Sequence, residues 1–295
     1  MISKKEAKIT KGMIFAGCSY TWGQGLYYYS NLETLRDQDN PWGYTRWIAN
    51  PAHHMFKETI RYPRLVANHF NSYEIVHPEN GGANDMIVEY WENCFNNRTK
   101  NAEILSIAHG ETPAKVEQIE YSEVSHIVFQ LTQWMRDLFE LDHEGEKIKL
   151  PIQWFWDNNP NRDRPYRDIF EKYLERNGKV FGEINEDLQY KGLENVKRFL
   201  IKCEDEGIKT YVLSWPHEFL KIIEKDEWLK ERFITFDYDG KNYECIEYLN
   251  ENNPELAIYK DYERFETPPN DSHPSMKCHQ IIAENIIKFI ENKEK

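Results

Sequence analysis

Gly12-Met13-Ile14-Phe15-Ala16-Gly17-Cys18-Ser19-Tyr20-Thr21-Trp22-Gly23 is the stretch on which the reading of this chain turns. An apolar run, Met13 to Ala16, is entered through Lys11-Gly12 and halted at Gly17. A short, nearly continuous apolar run suits a strand buried on both faces, as in a parallel sheet. Three later runs have the same form: Tyr73-Glu74-Ile75-Val76-His77 before Pro78, Ile127-Val128-Phe129-Gln130-Leu131, and Thr210-Tyr211-Val212-Leu213-Ser214 before Pro216. Between them apolar residues recur at helical spacing. This predicts helices around 62–70, over Met86 to Phe95, over Leu193 to Cys203 with Gly207 as a stop, and over Ser275 to Ile290. Strands alternating with helices predict an α/β fold with a parallel sheet.

No repeat and no low-complexity linker divides the 295 residues, so 1–295 reads as one domain. Segments near 24–60, 140–180 and 235–268 break the rhythm and read as insertions, the last expected to cover one edge of the sheet. Long irregular insertions are more often functional loops or lids than filler. Hydrophobic residues make up 40% and charged residues 29%, which is ample for a core. Lys+Arg is 37 against Asp+Glu 50, a net charge of −13. Gripping a phosphate backbone takes cationic side chains, so no nucleic-acid partner is expected. No stretch approaches the roughly 20 apolar residues of a membrane span. The opening MISKKEAKITKG has charge and no apolar core after it, unlike a secretory signal. Cys18, Cys94, Cys203, Cys245 and Cys278 are scattered without a CxxC pair. Reduced thiols, a cytoplasmic location and no membrane partner are the expectation.

Three short constellations could carry chemistry. Ser19 directly follows the first apolar run, and the C-terminal end of a parallel strand is where an α/β fold presents reactive groups. If a helical turn begins there, the Ser19 amide is free to meet negative charge on a substrate oxygen. A Ser after a strand is equally often a plain helix N-cap. Asn270-Asp271-Ser272-His273-Pro274 precedes the last helix. His titrates near neutrality and is the usual general base, and a carboxylate two residues earlier could fix its tautomer. The bland alternative is a polar turn that caps the helix. Asn80-Gly81-Gly82-Ala83-Asn84-Asp85 follows the second run. Its glycines permit close backbone approach, so the Gly82 amide and the Asn84 side chain suit an oxyanion. A turn with a cap at Asn84 or Asp85 is again the plain alternative.

Taken together, in this order, the three blocks resemble the SGNH (or GDSL) hydrolases. The Gly17-Cys18-Ser19-Tyr20-Thr21-Trp22-Gly23 block looks like that family's nucleophile motif, with Cys18 where the family has Asp. The block from Asn80 to Asp85 looks like its second, and Asp271-Ser272-His273-Pro274 is similar to its last. The resemblance implies a three-layer α/β/α sandwich around a parallel sheet of about five strands in flavodoxin-like order. It implies a serine esterase in which Ser19 attacks, His273 is the base, Asp271 orients it, and Ser19, Gly82 and Asn84 form the oxyanion hole. The chain departs from the family twice. The family's acid stands three residues before its His, which here is Asn270. Asp271 is preferred because a neutral amide stabilises an imidazolium poorly. The family's Gly-x-Asn-Asp after the third strand is replaced by Gln130-Leu131-Thr132-Gln133-Trp134. Asn84, Thr132 or Gln133 would then supply the third donor, or the hole has two.

The implied substrate is a small acyl ester, such as an O-acetyl group on a carbohydrate or another polar small molecule. A non-catalytic glycan- or partner-binding module of the same fold, or an O-acyltransferase with the same triad, is the alternative. No cofactor and no metal are expected. Cys278 and His279 with His273 lack metal-ligand spacing, and there is no GxxxxGK phosphate loop. Cys18 ranks below Ser19 as nucleophile, because a side chain beside a buried strand usually packs inward. His53-His54 diverge in any regular structure and read as surface. Tyr27-Tyr28-Tyr29, Trp42, Trp47, Trp154 and Trp156 could stack on sugar rings or pack the insertions down.

Overall fold

Each of the four apolar runs becomes a strand of one sheet. The computed structural model describes residues 11–29, 51–76, 82–96, 104–107, 114–116, 119–143, 145–152 and 164–295. Its strands, in chain order, are β1 (Gly12–Ala16), β2 (Tyr73–Val76), β3 (Ile104–Ile107), β4 (Ala114–Val116), β5 (Val124–Leu131), β6 (Leu138–His143), β7 (Glu146–Pro151), β8 (Lys209–Ser214), β9 (Phe236–Tyr238) and β10 (Lys241–Tyr243). The central sheet has six strands in the order β4-β3-β2-β1-β5-β8. Strands β2, β1, β5 and β8 run parallel. Strands β3 and β4 extend the β2 edge antiparallel.

The parallel part therefore has four strands, where about five were expected. Beyond β8 the chain makes a single parallel bridge, Val212 to Phe233, with the Ile234 amide donating to Val212 O at 2.8 Å. The four parallel strands are the four mainly apolar runs picked out in the sequence, as strands covered on both faces require.

The helices are α1 (Ser19–Trp22), α2 (Pro51–Ile60), α3 (Tyr62–His69), α4 (Asn84–Phe95), α5 (Arg164–Arg176), α6 (Phe181–Asp205), α7 (Leu220–Lys225), α8 (Glu227–Arg232), α9 (Ile246–Asn252) and α10 (Met276–Lys293). Alternation along β1 splits the core. Ile14 and Ala16 face Trp91 of α4 and Val196, Phe199 and Leu200 of α6. Met13 and Phe15 face Tyr62 and Val66 of α3 and Ile282 and Ile286 of α10. Helices thus cover both faces of the sheet. Burying a side chain of this size contributes ~1.5–3 kcal/mol. Among the described residues no helix is long and apolar enough to cross a membrane.

The described parts of the three insertions add local structure. The first contains a 3-10 turn, Leu26–Tyr29, and α2; the second contains the β6–β7 hairpin and α5. The third lies by β8, an edge strand of the central sheet, where Ile234 N donates to Val212 O just before it and Glu247 N to Trp215 O within it. Its Phe236, Tyr243, Ile246, Leu249 and Leu256 enter the core on the α10 face.

One buried feature had no sequence signal. Glu74 on β2, wholly buried, receives the Arg61 Nε at 2.6 Å and lies 3.3 Å from the Arg64 Nε. Arg61 also donates to Trp22 O at 3.3 Å, and the Lys57 ammonium lies over the Trp22 ring, 2.9 Å from its centroid. Burial pushes the Glu74 carboxyl up, and the two guanidiniums oppose that rise. Removing one partner of a buried pair strands the other charge, at a cost of ~3–5 kcal/mol. Glu74→Ala should lower unfolding free energy by about that much in urea titrations. Glu140→Ala, which breaks the exposed Lys147–Glu140 pair, should leave the midpoint unchanged.

Candidate active site

The turn after β1 is held from three sides. A Cβ on Gly17 would overlap Thr21 Oγ1 and come within 2.9 Å of the Gln130 Cβ, so only glycine lets β1 approach β5 here. Gln130, buried on β5, accepts from Thr21 Oγ1 at 2.7 Å and donates to Leu131 O at 3.1 Å and Cys18 Sγ at 3.3 Å. Thr21 Oγ1 is also 2.7 Å from the Tyr62 hydroxyl. The single turn α1 is closed by Gly23 in the left-handed region, φ 79°, whose amide donates to Ser19 O. Ser19 is the first residue of that turn, so its amide has no intrahelical acceptor. No acceptor meets that amide among the described residues.

His273 arrives from the other end of the chain. The Ser19 Oγ lies 3.0 Å from His273 Nε2, and His273 Nδ1 lies 2.6 Å from Asp271 Oδ1. The His273 backbone amide donates to the same carboxylate oxygen at 3.0 Å, which fixes the turn. A carboxylate can only accept, so Nδ1 carries the proton and Nε2 is left to accept from Ser19. Asn270 is exposed and makes no side-chain hydrogen bond among the described residues. The loop is braced by the third insertion: Ile258 N donates to His273 O at 3.0 Å, Tyr259 N to Asp271 O at 2.9 Å, and Ser275 N to Leu256 O at 2.7 Å. Gly25, at φ +86°, packs against this brace, and a Cβ there would lie 3.0 Å from Asp271 Oδ2.

The arrangement brings Ser19, His273 and Asp271 together as one relay. Gly82 stands just before α4 at the same edge of the sheet; Asn80 and Gly81 lie outside the described residues. Asn84 has partners of its own. Its Nδ2 donates to Thr132 O at 2.8 Å, and its Oδ1 accepts from Thr132 N at 2.9 Å. The carboxamide is a clamp between the start of α4 and the end of β5. Asp137 accepts from Asp85 N at 3.3 Å, while Asp85 accepts from Leu138 N at 3.1 Å. Burial, then the neighbouring Asp85 carboxylate, pushes Asp137 up to about 8.

The remaining candidates find other duties. Cys18 is buried, with Sγ 3.9 Å from the Ser19 Oγ, and all five cysteines are buried and free. Cys278 Sγ donates to Asn250 Oδ1 at 3.3 Å, and His279 Nδ1 accepts from Tyr62 N at 3.2 Å. Burial pushes His279 down to about 3, so it is neutral. Among the described residues no three His, Cys, Asp or Glu side chains gather as a metal site. Tyr29 donates to Asp261 at 2.6 Å and packs on Phe265, tying the first insertion to the third. Trp42, Trp47, Trp154 and Trp156 lie outside the described residues, as do the side chains of Tyr27, His53 and His54.

Sequence reading missed one side of the site. Tyr20, beside the nucleophile, has its ring 5.2 Å from that of His273 and stacks on Trp215 at 4.5 Å. Trp215 follows β8, and the Arg136 guanidinium lies 5.0 Å from its ring centroid. Nothing in a lone Trp-Pro or a turn arginine announces such a grouping. No known family model matches this chain, and neither curated proteins nor solved structures give a significant match.

Two outcomes test the clamp. Asn84→Ala leaves the buried Thr132 backbone groups unpaired and should cost ~1–3 kcal/mol of stability per group. Asp137 is held protonated in the fold where an unfolded carboxyl, near 3.8, has ionised. Its stabilising contribution is therefore intact below about pH 4 and is lost as the pH rises toward 8. Asp137→Asn should flatten the decline of unfolding free energy across that window, measured in urea at successive pH values.

Proposed function

We propose that this chain is a serine hydrolase acting on esters, of the SGNH kind that its three blocks resemble. The observation that carries the reading is the Ser19–His273–Asp271 relay, assembled from opposite ends of the chain at one edge of a parallel sheet. The strand order supports it. Counted among the parallel strands alone, the order is 2-1-3-4, the start of the flavodoxin-like order that the family implies. The order reverses between β1 and β5, and open α/β sheets bind ligands outside the carboxyl ends of the strands at such a point.

In the proposed reaction Ser19 Oγ attacks the acyl carbon while its proton passes to His273 Nε2. Asp271 stabilises the imidazolium across the Nδ1 hydrogen bond. The Ser19 and Gly82 amides meet the tetrahedral oxyanion. Collapse breaks the ester C–O bond, and the imidazolium returns the proton to the departing alcohol. Water then repeats the sequence on the acyl-enzyme with His273 as base. With Asn84 engaged by Thr132, we assign the hole two donors. A missing donor is worth ~10²–10³ in rate, so a slow esterase is expected. The substrate is a small acyl group on a carbohydrate or another polar carrier.

A fluorophosphonate probe should label the wild-type chain at Ser19 and leave Ser19→Ala unlabelled. Turnover of p-nitrophenyl acetate should fall on the order of 10⁶-fold in Ser19→Ala. In Asp271→Asn, kcat should fall by roughly 10⁴, because the tautomer is lost. Asn270→Ala should retain activity. Absence of labelling and of turnover in the folded wild type would favour the non-catalytic binding module.

A further inference from the structure

Arg136 stands on the 3-10 turn Trp134–Arg136 that follows β5. Its guanidinium donates to Thr132 Oγ1 at 3.3 Å and lies over Trp215. From there the chain of contacts runs through Trp215 and Tyr20 to His273. Thr132 is the residue whose backbone Asn84 clamps. Arg136 is therefore tied to the end of β5 while its side chain stays half-buried.

What distinguishes this arginine is the partner it lacks. Arg232 also lies over a tryptophan, 4.1 Å from the Trp228 ring centroid, and it carries the Glu204 carboxylate at 2.6 Å. Arg61 and Arg64 share Glu74. Arg136 has the aromatic platform without the carboxylate: among the described residues none pairs with it. The acids around the site are committed elsewhere. Asp271 accepts from His273, and Glu218 accepts from Trp134 N at 2.6 Å. Burial also raises the Tyr20 hydroxyl, so Tyr20 stays neutral and does not balance the cation. In a chain of net charge −13, a guanidinium with no carboxylate partner among the described residues, two stacked rings away from His273, stands out.

We propose that Arg136 is a specificity residue that binds a carboxylate on the substrate, so that the preferred ester is anionic. This rests on the hydrolase reading above. A planar guanidinium pairs a carboxylate through two parallel hydrogen bonds, and the Trp215 face shields that pair from water on one side. The acid can belong to the acyl part or to the alcohol part of the ester, and both place the same group beside Arg136.

The test compares kcat/KM for p-nitrophenyl butyrate, the monoester p-nitrophenyl succinate, and 3-carboxy-4-nitrophenyl acetate. A charge-assisted hydrogen bond is worth roughly 10–100-fold. Wild type should favour one of the two acids over the neutral ester by roughly that factor, and which acid wins identifies the part that carries the charge. Arg136→Gln should erase the preference through the acid substrates alone, with butyrate turnover unchanged, and Arg136→Lys should restore part of it. Equal rates for all three esters in wild type, with butyrate turned over, would overturn the anion site and leave the hydrolase standing. If no ester is turned over, the hydrolase reading fails. Quenching of tryptophan fluorescence by succinate then decides the anion site, with Trp215→Phe and Arg136→Gln as controls. Quenching that both variants abolish supports it, and quenching absent from wild type ends it.

Discussion

Parallel pairing of β1 with β5 is the constraint on which the site depends. Ala16 lies in register with Phe129, so the residues that follow these two run on side by side. On one strand these are Gly17 to Ser19; on the other, Gln130 to Thr132. The pairing lets a single buried amide, Gln130, accept from Thr21 and donate to Cys18 across the seam. A neutral side chain with both a donor and an acceptor can satisfy both ends of such a seam, which a carboxylate cannot. The same closeness demands a glycine at position 17. Strand β2 pairs on the other side of β1 and delivers the Gly82 block to the same edge.

The histidine is held by a different logic. Its loop belongs to no strand of the central sheet, and its backbone is instead paired with residues 256–259 of the third insertion. The brace leaves His273 few ways to move relative to Asp271, whose carboxylate takes both the ring and the backbone amide. An insertion that reads as irregular polar sequence thus does positional work. It also adds Phe236, Ile246 and Leu256 to the core, which explains why it is rigid enough to do so.

Much of this was legible because it is local. Four apolar runs become the four parallel strands, since burial on both faces leaves no room for polar alternation. Ser19, His273 and Asp271 each sit in a short polar motif abutting a strand end or helix start, where ordinary caps and reactive groups look alike. What distinguishes the two is a distance between residues 254 positions apart, and no local pattern contains it. The ion cluster of Arg61, Arg64 and Glu74 was illegible for the same reason: each residue alone reads as a surface charge. Strands β3 and β4 escaped because they are short, four and three residues, with too little alternation to mark a period. Asn84 reads locally as an oxyanion donor or a helix cap, and the backbone that claims it lies 48 residues away.

The charges around the nucleophile divide into two sets that do not neutralise each other. Asp271 faces His273, where it fixes the tautomer at rest and its negative charge offsets the imidazolium when that forms. Arg136 is kept from Asp271 by two stacked aromatic rings, Tyr20 and Trp215. Were Arg136 free to reach Asp271, the pair would close as Arg232 and Glu204 do, and the triad would lose its counter-ion. The aromatic spacer prevents that collapse without introducing another charge, because Tyr20 is held neutral by burial. A site that must stabilise a transient cation on one side and, as proposed, recognise a permanent anion on the other needs such a partition. Two rings packed face to face provide it within one residue of the nucleophile.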